Sequence, residues 1–329
     1  MMMWECPVCR SSVRESGDSL TCTSCGREFP VVNGIPDFRV SIPSWIDVAE
    51  DTTIARELAS SGLPLEGMVR SVYSHRHGWD EARIELRTRQ VLDGAKALLE
   101  DLRGWLKPVV RDGTFMDLGC GGGMLMAAAC DLRPGRRVIG VDVSMTWLVV
   151  AQRYVRDHGG EPVLAAAMAE ALPFPDRSIP AVVSLDVIEH VKDPDAYLAE
   201  IDRVVQPGGG VALSTPNRFS LTAEPHVFVW GVGWLPKRLQ AAYVRMRSGK
   251  SYTDTVLMSS WTLARRLRRK THLKFRILIP RVPKAHIARF TRSKTALALA
   301  YNWMAGMILL RPFFLYVGPF FRVTGWKHF

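Results

Sequence analysis

Over the middle of the chain, short apolar runs alternate with longer stretches whose apolar residues recur every three or four positions. The runs at about 114–118, 138–142, 162–165, 181–186 and 210–215 predict strands, and the intervals between them predict helices. Regular alternation of strand and helix implies a parallel sheet covered on both faces, an α/β, doubly wound fold. The interval 194–205 shows the local logic. Asp193 caps it, Pro194 takes the first turn, Leu198, Ile201 and Val205 face inward, and Pro207-Gly208-Gly209 stops it. Two further runs, KFRILIP (274–280) and PFFRVTGWK (319–327), predict a sixth and a seventh strand. The start of the fourth strand, at Pro180, is left open. Upstream, Ser41 to Asp112 reads as helical, with breaks at Ser61-Gly62 and His77-Gly78. Ile84, Leu86, Val91, Leu92, Ala95, Leu98, Leu99 and Leu102 lie near helical spacing there and predict a cover for one face of the sheet.

The first strand runs into glycines: TFMDLGCGGGMLMAAA is strand, turn, then helix. That setting makes a glycine-rich turn meaningful, because a backbone without Cβ atoms approaches a ligand closely. The turn by itself suits a dinucleotide. Asp117, two residues before Gly119, points elsewhere: a carboxylate repels a pyrophosphate and suits a ligand carrying an ammonium and a sulfonium. The second strand, in RRVIGVDVS, ends in Asp142, 23 residues after Gly119 and placed for ribose hydroxyls.

DLGCGGG with Asp142, then AEALPFPDRSIPAVVSLDVIEHV, then VVQPGGGVALSTPN resemble the class I S-adenosylmethionine-dependent methyltransferases, nearest the group with quinone-biosynthesis members. The resemblance runs from about Thr114 to Asn217. It implies a Rossmann-like methyltransferase domain in which Asp117, Gly119, Cys120, Gly121 and Gly123 border the methionine part of S-adenosyl-L-methionine. By the same likeness Asp142 and Val143 hold the ribose side, and Met168 and Ala169 lie over the adenine. Met168 stands where many relatives carry an acid, so the adenine amino group is expected to rely on backbone contacts.

Methyl transfer to a hydroxyl needs a base or a metal as well as positioning. In SLDVIEHV, Asp186, Glu189 and His190 share one face of a helical turn, and His226 in EPHVF is the right residue type to join them. The set resembles the Glu-x-x-Glu-His arrangement with which some quinone and small-RNA O-methyltransferases hold a divalent ion, with Asp186 in place of the first glutamate. Three roles stay open: a metal site, a metal-free base or orienting group at His190, and packing.

Cys6-x2-Cys9 and Cys22-x2-Cys25, separated by 12 residues, have the spacing of one tetrahedral zinc site. Cys120 and Cys130 stand apart. The start carries no basic stretch followed by an apolar run, so a reducing, cytoplasmic setting is expected and disulfides are disfavoured. CTSCGREFPVVNGIPDF (22–38) resembles the short zinc ribbons of the methyltransferase activator family, which implies a structural ion. The organisation expected is a ribbon over 1–40, a helical linker and cap over 41–112, and a methyltransferase domain over 113–329 with insertions at about 218–258 and 281–318.

Charge changes the picture at the end. The 329 residues hold 43 Lys and Arg against 32 Asp and Glu, yet no acid follows Asp254 while 15 bases do, leaving 28 against 32 before it. A basic tail of this kind suits RNA or an anionic membrane surface. Next to it lies ALALAYNWMAGMILL (296–310), polar only at Asn302. As a helix it is about 22 Å long, too short for a hydrocarbon core of roughly 30 Å. It is either a buried core helix or an apolar face for the membrane boundary. The expectation is an O-methyltransferase peripheral on the inner leaflet whose acceptor is membrane-borne, a quinone precursor or a lipid-linked glycan. RNA ribose methylation, a soluble small-molecule acceptor and a non-catalytic scaffold are the alternatives.

Overall fold

A computed structural model describes residues 4–42, 46–75, 78–110, 114–253, 255–282, 287 and 291–328. Asp112, Asp254, His77 and the bases Lys284 and Arg289 of the tail lie outside these residues, as does the expected boundary at 113. Four short strands come first: β1 (Val13–Ser16), β2 (Ser19–Cys22), β3 (Glu28–Val32) and β4 (Ile35–Pro36), paired antiparallel in chain order. Five helices follow: α1 (Val48–Ser60), α2 (Leu65–Ser74), α3 (Glu81–Leu92), α4 (Gly94–Arg103) and α5 (Lys107–Val110). The apolar positions from Ile84 to Leu102 therefore lie on two helices broken at Asp93. Leu86, expected on the buried side, is exposed.

The main sheet contains β5 (Met116–Leu118), β6 (Arg137–Asp142), β7 (Glu161–Ala166), β8 (Ile179–Leu185), β9 (Val205–Pro216), β10 (Leu273–Leu278) and β11 (Phe320–Lys327). Its edge-to-edge order is β10-β11-β9-β8-β5-β6-β7. Only β11 runs antiparallel to its neighbours. All seven expected strands are present. Pro180 does not prevent β8 from starting at Ile179; it sits where the pairing with β9 shifts register. The helices on the two faces are α6 (Met124–Leu132), α7 (Met145–Asp157), α8 (Pro194–Val204) and α10 (Ser260–Lys270), with α9 (Lys237–Ser248) in the segment after β9. Asp193 caps α8 by accepting from the Asp195 and Ala196 N–H groups, and Leu198 and Ile201 are buried. Val205 already pairs with Ile179, so the helix ends before the glycines expected to stop it.

Two apolar layers sandwich the sheet. One joins α1–α7 residues such as Val69, Leu106, Met126 and Leu148. The other joins α8 and α10 to the sheet and includes Cys6, Leu20, Cys22, Phe29 and Phe38, so the cysteine module packs into the same layer as Leu118 and Val141.

The apolar stretch near the end is not one helix. α11 (Arg292–Ala305) stops before Gly306-Met307, a 3-10 turn follows at Ile308–Leu310, and α12 (Arg311–Val317) leaves at 93°. No single helix among the described residues is long and apolar enough to cross a membrane, but this bent pair passes that test of length and composition together. Nor is it a core element: Ala298 is the buried residue of α11, while Ile308 and Leu309 are 81% and 89% exposed.

Candidate functional site

The sheet order reverses beside β5, which is where ligands bind in open α/β sheets, beyond the carboxyl ends of the strands. The turn after β5 is shaped from both sides. The Gly119 and Cys120 N–H groups donate to the Val141 carbonyl, at 2.7 and 3.1 Å. Gly119 has φ +80°, and a Cβ there would lie 2.2 Å from Val187 Cγ2. Gly123 opens α6 at φ +82°, where a Cβ would meet Ala151 at 2.8 Å. Around Gly121 (φ +47°) a Cβ would meet nothing, so this part of the turn faces open space.

Asp142, at the end of β6, accepts from the Gly121 N–H (2.8 Å) and the Ser144 N–H (2.9 Å). Its carboxylate ties the glycine turn to the start of α7. Burial holds its pKa above the usual carboxylate range. Asp117 lies beneath the turn, 4% exposed, and burial together with the Asp142 charge pushes its pKa up to about 8. A buried carboxyl that is reluctant to ionise gains most from a cation placed beside it.

A cavity of about 680 Å³ collects part of the expected set; Asp117, Cys120, Gly121, Gly123 and Glu189 do not line it. Gly119, Asp142, Val143, Met168 and Ala169 line one part, and Asp186 and His190 line another. Ile42, Glu170, Val187, Lys192, Thr253 and Val256 line it as well, and no local pattern marks them. Glu170 was readable only as part of AEALPF. Its Oε1 accepts from the Lys192 and Asp193 N–H groups and fixes the loop beyond the reactive set.

Asp186 follows β8 at φ +58°, left-handed backbone that costs a non-glycine residue energy. Its carboxylate accepts from Ser214 Oγ at 2.7 Å, and burial raises its pKa. Glu189 is 0% exposed; Oε2 accepts from Thr215 Oγ1 at 3.0 Å, while Oε1 is buried without a hydrogen-bond partner. Burial, then the Asp186 charge, pushes Glu189 up to about 8. His190 Nε2 lies 3.0 Å from His226 Nε2, the rings edge to face. Glu224 binds His226 Nδ1. Burial alone would lower the His226 pKa, but Glu224 outweighs it and the pKa is raised. Ligand atoms of Glu189, His190 and His226 lie within 4.8 Å of one another; Asp186 stands outside this group.

In the cysteine module, Cys6 Sγ lies 3.8 Å from Cys25 Sγ, and Cys9 Sγ 3.3 Å from Cys22 Sγ. An ion at about 2.3 Å from four sulfurs sets tetrahedral edges of about 3.8 Å, so the donor set fits zinc. Each knuckle closes alike: Arg10 N–H reaches the Cys6 carbonyl and Gly26 N–H the Cys22 carbonyl, both residues at positive φ.

The link from this module to the cavity was not legible. Arg39 is buried between Asp37 and Asp51, at 2.6 Å from each. It also donates to the Val143 carbonyl (3.1 Å), and Asp51 accepts from Ser144 Oγ and the Met145 N–H at the start of α7.

Residues 116–213 match a family model described as a methyltransferase domain. A ubiquinone biosynthesis O-methyltransferase of Brucella ovis is 30% identical over 170 residues, 46% of this chain and 67% of the relative. Another, from Parvibaculum lavamentivorans, is 31% identical over 128 residues, 37% of this chain and 49% of the relative. The chain thus spans about half of one relative's length and two thirds of the other's. A crystal structure of an S-adenosylmethionine dependent methyltransferase from Mesorhizobium loti is similar with a TM-score of 0.49 and 19% identity, covering 71% of this chain and all of that one. The chain belongs to the class I S-adenosylmethionine-dependent methyltransferases.

Proposed function

We propose that the protein methylates a hydroxyl of a membrane-borne acceptor, such as a quinone precursor or a lipid-linked glycan. The observation that carries this reading is the single cavity in which the Asp142–Gly119 corner faces Asp186 and His190. Asp117, Gly119, Cys120, Gly121 and Gly123 would hold the methionine part of S-adenosylmethionine, with Asp142 and Val143 at the ribose and Met168 and Ala169 at the adenine. The cofactor supplies an electrophilic methyl group. His190, exposed in the cavity, takes the acceptor's proton. His226, held by Glu224, shares the resulting charge across the 3.0 Å contact. Asp186, fixed by Ser214, orients the acceptor hydroxyl.

A second reading of the same residues has one observation in its favour. The unpartnered Glu189 Oε1 beside two imidazoles suits a divalent ion that lowers the hydroxyl pKa directly. In both readings Cys6, Cys9, Cys22 and Cys25 hold a structural zinc.

The membrane part rests on surface chemistry. Leu297, Trp303, Ile308, Leu309 and Phe313 are exposed on the bent pair. Tyr316 of α12 stacks on Phe219 and meets Trp234, which continues the apolar surface into the segment after β9. Glu224 is the one acid between 218 and 253, against six bases, and no acid follows Asp254. Apolar side chains rimmed by bases suit an anionic leaflet.

The test is transfer of label from methyl-labelled S-adenosylmethionine into a fractionated cell extract. Label in the lipid fraction is expected, lost by roughly a hundredfold or more in His190→Ala while cofactor affinity stays within about twofold. Label in RNA alone would reject the acceptor class. Full activity in EDTA would select the metal-free reading.

A further inference from the structure

Asp186 lines two cavities. The second, of about 450 Å³, lies on the other side of the β8 and β9 ends, between α4 and α11. Its size is within the range of about 300–1,000 Å³ usual for small-molecule sites. Its floor is Leu185, Asp186 and Ser214, the residues that end β8 and hold the Asp186 carboxylate. Its walls are apolar: Leu98 and Trp105 from the α4 side, Val282 and Tyr301 from the other. Several polar groups in the walls are paired, while Trp105 Nε1 is buried without a hydrogen-bond partner. Arg322 pairs with Asp101 at 2.9 Å and covers the Trp105 ring, and Tyr301 Oη donates to the Pro280 carbonyl. What remains is a largely apolar slot lined by two further charged groups, the Asp186 carboxylate and Arg281.

The roof of the slot is the inner side of α11. Asn302 holds it down by exchanging hydrogen bonds with the Val282 backbone at 2.8 and 2.9 Å. The outer side of the same helix carries exposed Leu297 and Trp303. Arg281 lines the slot, and a Cβ on Gly306 would lie 2.9 Å from its guanidinium, so this cation sits at the break between α11 and α12. One helix thus separates the slot from the apolar surface.

We propose that this second cavity is the acceptor's binding site, and that it takes an amphipathic lipid: a hydroxyl-bearing head group at Asp186 on an apolar isoprenoid or acyl chain that leaves beneath α11 past Arg281. The inference rests on the methyltransferase reading for the direction of the head group. The head-group hydroxyl would cross at Asp186, the residue that lines both cavities, to meet His190 and the cofactor side in the first cavity.

The experiment uses the full zinc-loaded chain in neutral detergent with a photoreactive farnesol and saturating S-adenosylmethionine. Crosslinks are expected at 97–105, 280–282 and 298–301, with unlabelled farnesol competing. Ala97 is an exposed residue at the rim of the slot, so Ala97→Trp fills the opening without touching the core. It should cut labelling at least tenfold, while Lys96→Trp, one residue outside the lining, leaves it unchanged. Labelling confined to 308–317, or equal in Ala97→Trp, overturns the proposal. Calorimetry separates the two readings: intact labelling without cofactor binding keeps the lipid slot and removes the enzyme reading, whereas cofactor binding without labelling removes the slot alone.

Discussion

At the scale of single residues, the two aspartates under the glycine turn do different jobs. Asp142 works by geometry, since both of its carboxylate oxygens accept backbone N–H groups and set the turn. Asp142→Ala frees those donors and, on the proposed cofactor placement, removes the ribose acceptor, so S-adenosylmethionine affinity should fall by about 1–3 kcal/mol, measured by calorimetry. Asp117 works by charge. Its pKa of about 8 in the folded chain stands above the ordinary aspartate value of 3.8, so between these pH values the folded state binds the extra proton. Its contribution to stability is present at low pH and is lost as pH rises towards 8. Glu189 adds to the same trend. A bound ammonium reverses this for Asp117 by favouring its ionised form. The thermal shift produced by S-adenosylmethionine should therefore grow between pH 6 and pH 8 and be flattened in Asp117→Asn. An equal shift at all pH values would place the cofactor's cation elsewhere.

Elements were legible where their causes are local. The strands are dense apolar runs, α8 carries its own cap, and the knuckles are fixed by spacing; each was placed within a few residues. What escaped were contacts that join distant parts. Phe38 N–H donates to the Ala166 carbonyl at 2.7 Å, and Trp4 packs against Phe38 and Phe174, which docks the cysteine module against the β7 edge. Nothing near residue 38 announces residue 166. The buried Arg39 was invisible for the same reason, although it connects β4 to the Val143 loop. The bend at Gly306 escapes for a different reason: hydropathy is continuous across 296–310, and one glycine inside an apolar run does not by itself specify a break. The Arg39 link makes a prediction at this scale. Arg39→Ala leaves Asp37 and Asp51 buried without their cation, a loss of about 3–5 kcal/mol. Cys22→Ser should act on the same path, because metal binding and folding of such modules are coupled. Both should lower S-adenosylmethionine affinity although neither residue lines the cavity. Unchanged affinity in Cys22→Ser with zinc lost would show the module to be independent of the site.

For the whole molecule, the question is what the acid-free tail is for, and the fold redistributes its charges. Arg266 and Lys270 of α10 are paired with Asp195 of α8, and Arg268 lies over Phe275. Part of the basic run therefore holds the molecule together, and reversing all of α10 would damage the fold as well as any surface. The exposed Arg265 and Arg269 remain outward, as do Lys237, Arg238, Arg245 and Arg247 of the segment after β9. An RNA surface would explain the charge, through release of counterions, but gives no reason for Ile308 and Leu309 to stand exposed at the apex of a bent apolar pair. A bilayer boundary explains both, with about 1 kcal/mol for each base near an anionic surface and the apolar apex entering the acyl region. Liposome flotation separates the contributions. Vesicles containing anionic lipid should carry the protein and neutral ones should not. Arg265→Glu with Arg269→Glu should weaken flotation and make it more sensitive to salt, while Ile308→Ser with Leu309→Ser should abolish it without changing the melting temperature by more than a degree or two, since those side chains touch little in the folded chain. Flotation unaffected by the serine pair would mean that charge alone brings the protein to the surface, and the apolar bend would need another partner.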